Sequence, residues 1–164
     1  MFYEASSFNQ NLNNWNVSHV TNMSFMFWGT NQFNGDLNNW DVSNVTDMNH
    51  MFHQATIFNG NISSWDVSNV TNMEALFMDA NALNQSLNSW NVSNVTNMDA
   101  MFFNAKIFNG DISNWDVGNV TIMNSMFSGA RAFNSDISGW NVSNAIDMDY
   151  MFQIAYTFNQ NLNS

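Results

Sequence analysis

Trp65-Asp66-Val67-Ser68-Asn69-Val70-Thr71-Asn72-Met73 returns along the chain at a fixed interval of 25 residues. Trp15, Trp40, Trp65, Trp90, Trp115 and Trp140 mark the interval, and Val17, Val42, Val67, Val92, Val117 and Val142 follow two places later. Nothing is inserted or deleted between the copies. A strict period of this length is the signature of stacked repeats, in which each unit buries its apolar face only against its neighbours.

Outward from this stretch, each unit reads M-F-x-x-A-x-x-F-N-x-x-[LI]-x-x-W-[ND]-V-S-N-V-T-x-M-x-x and closes on the next M-F. Around Ile62-Ser63-Ser64-Trp65-Asp66-Val67, Trp65 and Val67 alternate with polar neighbours, which predicts a short strand paired in parallel with its copy one unit away. From Val70 to Ala80 the apolar positions Val70, Met73, Leu76, Phe77 and Ala80 fall three or four apart, which predicts a short helix. Thr71 with Glu74 fits a capping box at its start. Ile107-Phe108-Asn109-Gly110-Asp111 and its copies carry turn residues. The expected fold class is therefore α/β, a solenoid of 25-residue coils made of a short parallel strand, a short helix and a turn.

The unbroken period predicts one array over 1–164, about six and a half coils and roughly 30 Å long at the strand spacing of a sheet. Met1-Phe2 is in register with Met26-Phe27 and Met51-Phe52, which reads Met1 as an internal repeat residue of an array that lacks its caps.

The formal charge of -11 arises from a near absence of bases, Lys106 and Arg131 being the only two. Nucleic acid and anionic membrane are poor partners for such a chain, because both need Lys and Arg to neutralise phosphate. Without Cys there is no disulfide, thiolate metal site or thiol nucleophile. No apolar run approaches a membrane span, so direct membrane insertion is not expected. Asn is used far above ordinary frequency, yet the regular Trp, Phe, Met, Val and Leu positions supply the apolar area that a disordered polar tract lacks.

The run Ile62-x-x-Trp65-x-Val67-x-x-Val70 has the spacing L-x-x-L-x-L-x-x-N of a leucine-rich repeat, with Val at the usual Asn position. The full unit F-N-x-x-L-x-x-W-D-V-S-N-V-T-x-M-x-x-M-F more closely resembles the DUF285 repeats, grouped with the BspA-like leucine-rich repeat surface proteins. The resemblance spans essentially the whole chain. It implies a right-handed leucine-rich-repeat-like solenoid, secretion or display at a cell surface, and a role in adhesion or partner binding. It transfers no catalytic residues.

Stacking aligns equivalent residues into ladders. Asn9, Asn34, Asn59, Asn84, Asn109, Asn134 and Asn159 occupy one position throughout and read as a buried amide ladder that satisfies turn backbone. Asn16, Asp41, Asp66, Asn91, Asp116 and Asn141 form a second ladder on the expected strand face, pointing away from the core. Ca²⁺ is the one cofactor candidate, as a hard cation bridging stacked carboxylates, but no copy carries the D-x-[DN]-x-[DN]-G loop, and neither a cofactor nor a metal site is expected. Thr21, Thr46, Thr71, Thr96 and Thr121 are read as helix caps. The sequon N-x-[ST] marks Asn16, Asn22, Asn44, Asn61, Asn69, Asn84, Asn91, Asn94, Asn119 and Asn141 as candidate N-glycosylation sites, most of them a by-product of N-V-S-N-V-T.

Variation among the copies points to function more sharply than their sameness. Phe25, His50, Ala75, Ala100, Ser125 and Tyr150 share one column, and Trp28, His53, Met78, Phe103, Ser128 and Gln153 another. The varied aromatics Phe25, Trp28, Phe103 and Tyr150, expected on the outer helical side, are the candidate binding residues, since aromatic anchors dominate interface energy. His50 and His53, three apart, lack a third metal ligand and read as surface substitutions. No unit breaks the repeat with a cluster of unlike polar groups, so an enzyme is not expected. The chain reads as a non-enzymatic extracellular or cell-surface scaffold for adhesion or for protein or glycan binding. The alternative is a structural subunit that meets other copies of itself end to end in a fibre, whose contacts do not close.

Overall fold

The computed structural model describes residues 1–162. They form a stack of coils in which each residue lies beside its counterpart 25 positions away, as the period requires. The strand-and-helix content expected of each coil is overturned. Among the described residues there is no helix, and strand-type pairing is confined to the isolated parallel bridges Asn22↔Asp47, Asp47↔Asn72, Asn72↔Asn97, Asn97↔Ile122 and Ile122↔Asp147. These bridges fall where the helix was expected, and the Ile62 to Val67 stretch is a turn closed by Trp65 N–H on the Ile62 carbonyl (3.2 Å).

The segment read as a helix is a ribbon of overlapping turns, covering 23–30, 48–55, 73–80, 98–105, 123–130 and 148–155. In the third copy Leu76 N–H bonds the Met73 carbonyl (3.2 Å), Met78 the Ala75 carbonyl (3.1 Å), and Ala80 the Phe77 carbonyl (3.0 Å). The third residues of the first and last of these turns, Ala75 and Asp79, have φ of 49° and 59°, as at the third position of a type II turn. A left-handed residue every fourth position prevents the i→i−4 ladder of a helix and turns alternate N–H groups out toward the next coil. The ribbon still places Met73, Leu76, Phe77 and Ala80 in the core, all fully buried. A three-or-four spacing therefore arises without a helix.

The outward N–H groups build columns of linked peptides. Met23 N–H donates to the Asp47 carbonyl (2.9 Å), and Met48, which shares that peptide, donates to the Asn72 carbonyl (3.0 Å); Met73 and Met98 continue the column. Parallel columns run through Phe25, His50 and Ala75, through Phe27, Phe52 and Phe77, and through Gly29, Gln54 and Asp79. All four point their N–H groups toward the C-terminal coils. Their peptide dipoles add, as along a helix axis, whereas the strands of an ordinary sheet largely cancel theirs. A Thr column runs the other way: Thr46, Thr71, Thr96 and Thr121 each donate both N–H (2.8–2.9 Å) and hydroxyl (3.1–3.2 Å) to the preceding Thr carbonyl. Thr71 is thus a rung between coils and not a helix cap, and Glu74 N–H is taken by Asn72 Oδ1 (3.1 Å).

The core is a bundle of side-chain columns. Trp40, Trp65, Trp90, Trp115 and Trp140 stack with centroids 6.2–6.5 Å apart and planes within 6°. Phe27, Phe52, Phe77, Phe102, Phe127 and Phe152 stack at 5.3–5.8 Å. Each buried ring contributes about 1.5–3 kcal/mol from the water it leaves. Every stacked Trp also donates its indole N–H to a carbonyl in the preceding coil, Trp65 to Leu37 at 2.9 Å and Trp90 to Ile62 at 3.1 Å. Gly60 and Gly110 are required by close approach, since a Cβ on either would collide with the carbonyl of Gly35 or Gln85 in the coil before.

Candidate binding face

The structure brings two of the four candidate aromatics together and keeps the other two apart. Phe25 stacks on Trp28 of the same ribbon (5.3 Å, 19°), and both stack on His50 of the next (5.0 Å, 16° and 5.1 Å, 7°). Trp28 also stacks on His53 (4.1 Å, 27°) and meets Tyr3 of the first coil (5.4 Å, 47°). Five rings from three successive coils therefore form one cluster. Phe25 is 37% and Tyr3 51% exposed, while Trp28 and His50 are half-buried. Phe103 lies three coils along the Trp28 column, half-buried, and Tyr150 lies five coils along the Phe25 column, 67% exposed. Neither joins the cluster.

The ribbon explains why these positions are free to vary. Phe25, His50 and Tyr150 all have φ near 55–58°, the left-handed corner of the turn, which throws the side chain out of the core. Chemistry at the corner is then less constrained by packing than in the fully buried Phe27 column beside it.

The histidines are not ordinary surface substitutions. His53 is only 7% exposed, wedged against Trp28, with Nε2 3.8 Å from Asp79 Oδ2. Asp79 is held from the other side by Asn104 Nδ2 (3.2 Å). Burial draws the imidazoles of both His50 and His53 below their ordinary range; the carboxylates of Glu74, Asp99 and Asp47 oppose this at His50, and Asp79 opposes it at His53. Burial, with Glu74 and Asp147 nearby, conversely raises the carboxyl of Asp99. The clue in the sequence was the offset: His50 and His53 stand 25 residues after Phe25 and Trp28, so whatever those rings touch includes them.

The remaining sequence-marked residues serve the backbone. Asn16, Asp41, Asp66, Asn91, Asp116 and Asn141 are exposed, and each accepts through Oδ1 from the N–H two residues on, at 3.0–3.2 Å. This is an Asx-turn, and it specifies the tight turn after each Trp. The Ser43 hydroxyl and N–H hold the Asp41 carboxyl below the usual carboxylate range, and Ser68 does the same for Asp66. Their oxygens thus already have donors within the turn. The ladder of Asn34, Asn59, Asn84 and Asn109 does satisfy turn backbone, each Oδ1 accepting from the N–H of the next Asn at 2.7–2.9 Å, but it runs along the surface and is not buried. All ten sequon asparagines are exposed. Four of them, Asn44, Asn69, Asn94 and Asn119, spend an Nδ2 hydrogen on a carbonyl of the preceding coil at 2.7–2.8 Å. No group of three or more His, Cys, Asp or Glu side chains among the described residues is arranged to hold a metal ion.

Among solved structures, a leucine-rich repeat protein of T. pallidum (TpLRR) is similar at 10% identity and a TM-score of 0.42, over 85% of this chain and 72% of that one. Likeness at that level bears neither on fold nor on function. No curated protein matches the chain. The family described as "Mycoplasma protein of unknown function, DUF285" matches residues 1–109 and again 82–164, in agreement with the repeat unit read above. Matched from end to end by two overlapping stretches, the chain belongs to that family.

Proposed function

We propose that this chain is a non-enzymatic repeat scaffold, placed outside the cell or at its surface, that binds a partner through the aromatic face formed by Tyr3, Phe25, Trp28 and His50. One observation carries the reading: at the varied ribbon positions Phe25, Trp28 and His50, aromatic rings gather into a half-exposed cluster instead of scattering. The rings spend their faces on one another, so their edges are left for a partner. Ring edges carry the positive end of the aromatic quadrupole and suit carbonyls, carboxylates and other ring faces. A sugar stacks on an open ring face, so a protein partner fits this surface better than a glycan. Surface placement rests on the family resemblance, and the ladders, whose polar groups are engaged in backbone turns, offer no competing site.

The test is a binding screen against extracellular proteins and glycans with the wild-type chain and with the Phe25→Ser/Trp28→Ser double variant. Ser125 and Ser128 already occupy these two columns in the sixth ribbon copy counted from residues 1–5, so the substitutions suit the turn. Loss of two aromatic anchors weakens a genuine partner by at least about 2 kcal/mol, some thirtyfold. Partners that bind both chains equally place the binding surface elsewhere.

End-to-end self-assembly is the second reading, favoured by the common direction of the four peptide columns, which offers N–H groups at one end of the stack and carbonyls at the other. Electron microscopy of the 164-residue chain at micromolar concentration decides it, filaments supporting the reading and discrete particles ending it.

A further inference from the structure

The binding face contains two titratable rings, His50 and His53, stacked within its cluster. His50 and His53 lie 5.3 Å apart, and the Nδ1 atom of each is buried with no hydrogen-bond partner among the described residues. A neutral imidazole tolerates this, because a lone pair without a donor is a modest loss. An imidazolium does not, because both ring nitrogens then carry N–H groups that need acceptors. Among the described residues only Nε2 of His53 has a carboxylate oxygen within 4 Å, and at 3.8 Å it is beyond hydrogen-bond distance.

We propose that the His50–His53 pair is an acid-operated latch in this face: neutral, the two rings complete the stack with Phe25 and Trp28; protonated, they leave it, and the face loses the shape a partner reads. The role in binding rests on the function proposed above, whereas the latch itself is a property of the isolated chain. The groups facing the pair are known from every coil packed against it. Phe25 and Trp28 precede it, with Glu4 one coil further along the Gln54 column. Asp47 shares its coil, and Ala75, Met78, Glu74 and Asp79 follow, with Asp99 beyond. The carboxylates favour protonation, and burial together with the second imidazole opposes it; burial is the larger influence at both rings.

The direction with pH follows. Because the folded chain resists protonation, the unfolded or unlatched state takes up protons first. Stability is full above the ordinary histidine range near 6.5, falls as pH drops through that range, and stops falling once the folded imidazoles also protonate.

The decisive comparison is between the wild-type chain and the His50→Ala/His53→Met variant, which carries what the following coil has at these columns, Ala75 and Met78, and therefore suits the fold. Amide exchange at Phe25 and Gly29, whose N–H groups bond the Asn49 and His53 carbonyls, is measured at about pH 7.5 and about pH 5 and corrected for intrinsic rates. Wild-type amides open about tenfold more often at the lower pH, and those of the variant do not change. Equal pH dependence in the two chains, or titration of His50 and His53 in the ordinary histidine range near 6.5, overturns the latch. A latch that works in a chain with no Phe25- and Trp28-dependent partner refutes the proposed function and leaves the latch standing.

Discussion

At the scale of single residues, the Trp column shows how much one atom adds to a repeat. The period identified Trp15 to Trp140 as core, and burial to 3% exposure for Trp40, Trp65, Trp90 and Trp115 agrees. The indole N–H bond to the carbonyl of the residue 28 positions earlier was not legible, because it depends on which wall of the coil the ring lies against. It explains why the column is Trp without exception where Phe or Leu has the same hydrophobic worth. Trp65→Phe keeps the stack, leaves the Leu37 carbonyl only the Trp40 N–H (3.0 Å) in place of two donors, and opens a small void. The expected loss is about 1–2 kcal/mol, read as a drop in urea midpoint. A loss below about 0.5 kcal/mol means that the bond contributes nothing beyond burial.

The elements are where the sequence misled, and the reason is geometrical. An amphipathic helix and a ribbon of turns with a left-handed corner every fourth residue both bury positions i, i+3, i+4 and i+7. Apolar spacing alone does not separate them. Glycine at the corners would have separated them, but only Gly29 and Gly129 are present among the ribbon corners, and Glu4, Gln54, Asp79, Asn104 and Ile154 hold the same column at φ of 54–61°. The far-UV circular dichroism of the chain accordingly lacks the helical double minimum. The corners also store strain that can be released. Gln54 is exposed, and the column already accepts Gly one coil before it, so Gln54→Gly removes the left-handed penalty at no packing cost. The variant gains about 1 kcal/mol in urea unfolding, the reverse of what glycine does in a helix. If Gln54→Gly destabilises the chain by that amount, the corner assignment is wrong. The candidate site was half legible for the same reason: the columns of Phe25 and Trp28 followed from the period, but the burial of His53 and the convergence of five rings followed from turn geometry that the pattern concealed.

For the whole molecule, nearly every contact described above joins a residue to its own coil or to the next, at separations of 2–3 or 23–28 residues. Such an array is close to one-dimensional, and its stability is a sum of coils and of the junctions between them. The end layers show this directly: Trp15, Val142 and Met148 are 40%, 37% and 44% exposed, whereas Trp65, Val67 and Met73 in the interior are 3%, 0% and 0% exposed. Length is therefore adjustable and register is not. Deleting residues 88–112 removes one full period and joins Leu87 to Ser113, so every Trp, Phe, Met, Thr and peptide column closes over the gap. That chain keeps its circular dichroism spectrum and unfolds at a modestly lower denaturant midpoint. Deleting 88–99 removes about half a period, sets polar turn residues against the Trp and Phe columns in every later coil, and breaks all four peptide columns at once. Its C-terminal half loses protection from amide exchange, while the coils before the cut keep theirs. Two deletions that behave alike would mean that the columns do not hold the coils in register, and the nearest-neighbour account of this fold would fall with them.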